Sequence, residues 1–191
     1  MTKNKKGFTI IEVVLVLAIA GLIFLMVFIA LPALQRSQRN TRRRQDMARI
    51  LSAVTDYQSN NGGKSPVTAS DFDPDFVNHY VDDTCSKGDE AGATLFSKTY
   101  TYVCTGDQFR DPDGSNYRMT FDKWTGGQST IAYLGSWFDV DSMRREHRIF
   151  LVAQSVCSGN EDAPTRQKDG YGNVSIVYAL EGGAMYCGDN Q

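Results

Sequence analysis

From Val13 to Leu34 the chain holds only apolar residues, glycine and proline. At 1.5 Å of rise per residue this run spans roughly 30 Å as a helix, which is the hydrocarbon thickness of a bilayer. It therefore reads as a membrane helix. A cleavable secretory signal has a shorter apolar region of about 7 to 15 residues and then a small-residue cleavage site. Here the run leads instead into QRSQRNTRRRQ. At its start stands one carboxylate, Glu12. A charge at mid-bilayer costs about 2.5 to 3.5 kcal/mol on insertion scales, so Glu12 calls for a partner.

The remainder has the composition of one ordinary domain: the whole chain is 191 residues, 41% hydrophobic and 22% charged. Charge is uneven along it. Up to Ser59 there are nine Lys or Arg and three Asp or Glu, a formal +6. Beyond it, eleven basic and nineteen acidic residues give −8. An acidic body argues against nucleic acid as its partner, because that affinity comes mostly from Lys and Arg replacing counterions.

All four cysteines, Cys85, Cys104, Cys157 and Cys187, follow the apolar run. None forms a C-x-x-C pair or has histidine at zinc spacing. They read as two disulfides in an oxidising compartment, the alternative being buried free thiols. Of three connectivities, Cys85 to Cys104 and Cys157 to Cys187 is favoured, since each ties neighbouring candidate elements. Positive-inside counting does not orient the span, since Lys3, Lys5 and Lys6 face Arg36, Arg39, Arg42, Arg43 and Arg44 across it. The cysteines put the C-terminal region outside the cytoplasm.

After Leu34 the sequence turns polar but stays helix-compatible, with Met47, Ile50, Leu51, Val54 and Tyr57 at helical spacing. That stripe is expected to dock on a body. Pro32 predicts a kink or locally loosened helix. Asn60, Asn61, Gly62, Gly63 and Pro66 end the segment. A continuous helix from Phe8 to Asn60 would be about 80 Å long. Strands are expected at Tyr100 to Cys104, Tyr117 to Phe121, Ser129 to Gly135, His147 to Cys157 and Asn173 to Glu181, forming an antiparallel sheet. Asp71 to Asp83 is either a short helix or an irregular loop, and Ser158 to Gly172 is a long polar loop. The fold class is α+β.

Lys5-Lys6-Gly7-Phe8-Thr9-Ile10-Ile11-Glu12, followed by the apolar helix, resembles a type IV prepilin with a class III signal peptide, in the superfamily that includes type II secretion pseudopilins. The closing pattern ILSAVTDYQSNNGGKSP, Ile50 to Pro66, is similar to that of pilin helices. YALEGGAMYCGDN resembles the last strand of some pilin-like heads. The resemblance covers roughly the first third of the chain.

It implies a leader at residues 1–7, a transmembrane and filament-core helix at 8–34, an amphipathic continuation at 35–62 and a β-rich head at 63–191. A prepilin peptidase would cut after Gly7, leaving Phe8 as a methylated N-terminus. Loss of the leader removes three lysines that hold the end at the cytoplasmic headgroups. The new α-amine of Phe8 then supplies a partner for Glu12 of a neighbouring subunit. At about 4 Å such a pair is worth several kcal/mol at an effective dielectric near 20. It serves register more than net stability, since both groups are desolvated. Gly21 with Ala18 and Ala20 lets helices approach closely.

The implied partners are other pilin subunits, the peptidase, an assembly ATPase and inner-membrane platform, and the membrane before assembly. The expected course is from the cytoplasmic membrane, head outside, to an extracellular filament. The expected function is a structural subunit of a type IV pilus, major or minor. The alternatives are a pseudopilin of type II secretion or competence, and a single-span protein with a binding head that never polymerises.

Other features carry less. Arg36, Arg39, Arg42, Arg43, Arg44 and Arg49 form a basic band, either a solvated face near anionic lipid or a contact for acidic heads of adjacent subunits. Asp111, Asp113 and Asn116 lie close in RDPDGSNYRM, but Gly114 comes at the fourth position where an EF-hand needs glycine at the sixth, so a β-turn is expected. Asn173-Val174-Ser175 is a chance sequon. With His79 and His147 the only histidines and no hydrolase, zinc-protease or phosphate-loop motif, no catalytic residue, metal or cofactor is expected.

Overall fold

The computed structural model describes residues 7–68, 72–88, 100–122, 140–157, 164–166 and 172–190. The chain forms two compact units, Met1–Gln38 and Arg39–Gln191. The helix α1 runs from Ile10 to Asn60, its helical assignment unbroken through Pro32 where a kink or loosening was expected. It stops where glycine punctuates it: Gly62 and Gly63 take positive φ of 65° and 82°, and the Gly63 amide donates back to the Gln58 carbonyl at 2.8 Å. This six-to-one bond is the Schellman closure, which a residue with a side chain enters only at a steric cost.

In the second unit the elements after α1 are the short helix α2 (Pro74–Phe76), running into a π-helical turn (Val77–Val81), strands β1 (Cys85–Lys87), β2 (Tyr100–Cys104) and β3 (Arg118–Asp122), helix α3 (Val140–Arg145), and strands β4 (Arg148–Ala153), β5 (Ser155–Cys157), β6 (Pro164–Arg166), β7 (Val174–Ala179) and β8 (Met185–Asp189). Within the open choice at Asp71 to Asp83, Pro74 to Val81 is helical. Asp73 caps α2 by accepting the Asp75 amide at 2.9 Å, and Pro74 takes the first-turn position where its missing donor is harmless.

Six strands form one sheet in the order β1-β2-β3-β4-β7-β8. It differs from a uniformly antiparallel sheet at one pair, β3 and β4, which run parallel. Residues 123–147 join them, and a connection of that length can cross over, where a hairpin needs only a few residues. The expected strand from Ser129 to Gly135 lies outside the described residues. The long strand expected from His147 to Cys157 is broken at Gln154, whose φ of 54° turns the chain out of the ladder. Its remainder, β5, pairs with β6, which occupies part of the expected polar loop from Ser158 to Gly172. The other described residue of that loop, Gly172, lies in a turn.

Met47, Ile50, Ala53, Val54 and Tyr57 of α1 are buried in one core with Tyr102, Met119, Ile149, Leu151, Ile176 and Tyr178 of the sheet. The expected stripe is thus the docking face, with Ala53 added and Leu51 at its edge. Burying each large side chain contributes about 1.5 to 3 kcal/mol. Alternation along β4 and β7 sends Phe150, Val177 and Ala179 to a second cluster with Met143 of α3. β7 is buried on both faces, which explains its nearly continuous apolar run.

Both favoured disulfides are formed, Cys85 with Cys104 and Cys157 with Cys187. The first joins residues directly opposite in the β1 and β2 ladder. The second ties the small sheet to β8 across a sequence separation of 30, for which chain entropy predicts a stabilisation of about 3 to 4 kcal/mol.

Candidate functional site

The first unit begins its helix with a capping box. The Glu12 carboxylate oxygen Oε2 accepts hydrogen bonds from the Thr9 amide and the Thr9 hydroxyl, each at 2.8 Å. The Glu12 amide in turn donates to Thr9 Oγ1 at 3.4 Å. Thr9 is therefore the N-cap, and two otherwise orphaned amides are satisfied within the chain. Thr9 was missed as a functional position, although its signal is present: a threonine three residues before a glutamate, ahead of an apolar run. Glu12 thus has a partner within its own chain.

Among the described residues none covers the apolar surface that follows this cap. Every large apolar side chain that is exposed among the described residues lies between Phe8, 90% exposed, and Leu34. Charge is nearly absent from the segment, and it is long and apolar enough to cross a membrane. A Cβ placed on Gly7 or Gly21 would meet nothing within 4 Å. Neither glycine is required by packing inside the chain.

The second unit holds a buried polar network on the docking half of α1. Arg43, its side chain 3% exposed, donates from Nε and Nη2 to the two oxygens of Asp111, each at 2.7 Å. Its Nη1 reaches Glu181 at 2.8 Å. Arg39 grips the same Glu181 through two bonds of 2.6 and 2.7 Å. The Tyr178 hydroxyl and the Asp113 amide complete the Asp111 carboxylate at 2.8 and 3.0 Å, and Tyr117 donates to Asp46 at 2.9 Å. Arg49 donates to the carbonyls of Val81 and Gln108 and lies over the Phe109 ring, 5.8 Å from its centroid.

For Arg39, Arg43 and Arg49 this corrects both readings of the basic band. All three are engaged by their own head: the sequence-distant acids Asp111 and Glu181 meet Arg43 and Arg39, and the Val81 and Gln108 carbonyls meet Arg49. The Asp-Pro-Asp-Gly segment does form the expected turn, with the Gly114 amide donating to the Asp111 carbonyl at 2.8 Å. The turn also delivers Asp111 to Arg43.

Burial works to raise the Asp111 carboxyl, but the Arg43 guanidinium, the Asp113 amide and Tyr178 outweigh it and hold it at about 2. Glu181 is likewise held at about 2, chiefly by Arg39. Both lie below their unfolded values, so their stabilisation is complete above roughly pH 4.5 and is lost as pH falls toward 2. Asp46 opposes this weakly, since burial raises its carboxyl above the usual range. Urea unfolding of the full chain in detergent, repeated between pH 6 and pH 2, is expected to lose at least about 2 kcal/mol across that window. The loss should shrink in Asp111→Asn. A flat profile would contradict the assignment.

Asp111, Asp113 and His147 bring potential ligand atoms within 4.8 Å of one another. The Asp111 oxygens in that group are already taken by Arg43 and Tyr178. The arrangement therefore functions as part of the ion-pair network.

Comparison with known families matches residues 2–28 to the prokaryotic N-terminal methylation motif. No curated protein and no solved structure matches the chain. The matched residues contain the basic leader, Gly7, Phe8, the Thr9 and Glu12 cap and most of the exposed apolar run. The chain thus carries the class III signal peptide of type IV pilin-like precursors on a long apolar helix, joined to a disulfide-bonded α+β head.

Proposed function

We propose that this protein is a structural subunit of a type IV pilus, cut after Gly7 and assembled through the helix that begins near Phe8. The observation that carries the reading is a methylation motif on a helix whose large apolar side chains from Ile10 to Leu34 are all exposed. Such a surface is stable in lipid before assembly and against other copies of itself afterwards. The open surroundings of Gly7 support a requirement imposed from outside the chain, as a peptidase imposes one. Gly21 leaves room for a neighbouring backbone.

In the proposed filament the Phe8 amine approaches Glu12 of an adjacent subunit. Only one carboxylate oxygen is engaged by Thr9, and Oε1 makes no hydrogen bond to another described residue. A charged amine can thus be added without dismantling the cap. Head and machinery follow from the same reading: a prepilin peptidase, an assembly ATPase and a membrane platform act on the chain, and the head faces outward.

N-terminal sequencing of the mature protein tests this reading. N-methylphenylalanine from Phe8 is expected in the first cycle; a chain that keeps Lys5 and Lys6 would be a non-polymerising anchor. Filaments seen on cells by electron microscopy separate a pilus from a pseudopilus, which uses the same N-terminal motif.

A further inference from the structure

We draw no further inference here: the strongest candidate, the Asp111, Asp113 and His147 cluster where the Asp-Pro-Asp-Gly turn meets the start of β4, belongs to the ion-pair network already described, its Asp111 oxygens being held by Arg43 and Tyr178.

Discussion

Arg43→Ala is expected to destabilise the head by about 3 to 5 kcal/mol, the cost of leaving a buried charge without its partner. The Asp111 side chain is fully buried, and among the described residues it would retain Tyr178 and the Asp113 amide as hydrogen-bond donors. Glu181 loses one of its two arginines at the same time. For a chain of this length the loss corresponds to a fall in Tm of roughly 6 to 20 °C. Adding Asp111→Asn to Arg43→Ala should recover part of the loss, since a neutral amide oxygen still accepts from Tyr178 without a buried charge. A double-mutant cycle by thermal unfolding measures the coupling. A loss below about 1 kcal/mol for Arg43→Ala would mean that the network is solvated and that apolar burial alone seats the helix.

The second large effect concerns assembly. Glu12→Ala is expected to abolish filaments while leaving the amount of folded, membrane-inserted subunit unchanged. The capping box complicates that variant, because alanine removes both the charge and the Thr9 bonds, and loss of a cap by itself costs about 1 kcal/mol. Glu12→Gln separates the two roles. Its amide oxygen still accepts from Thr9, but it offers no charge to an incoming α-amine. If charge pairing drives register, Gln and Ala should both reduce sheared filaments at least tenfold, as read by electron microscopy and immunoblot. Normal assembly by Glu12→Gln would make Glu12 a helix cap only, and the inter-subunit pairing would be abandoned.

The two halves of the molecule were unequally legible. The membrane-length run, the basic leader, the stripe from Met47 to Tyr57 and the glycine stop after Asn60 were open to direct reading, because each depends on residues within a few turns of one another. The same holds for the strands of β2, β3 and β7, and for the turn at Asp111 to Gly114. The Thr9 cap belongs to this local class too, since it needs only a threonine three residues before Glu12.

Residue order alone therefore established a membrane-length helix bearing a processing motif, followed by a β-rich, cysteine-paired body. Folding supplied the rest: the parallel pairing of β3 with β4, the break at Gln154, and the meeting of Arg43 with Asp111 and Glu181. The physical reason is contact distance along the chain. Hydrophobic period, caps and turns act between near neighbours and leave a mark in the sequence, whereas Arg43 and Asp111 are 68 residues apart and Arg43 and Glu181 are 138 apart. Whether such an arginine faces water, lipid or a buried carboxylate depends on which distant segment packs against it, and no local pattern records that.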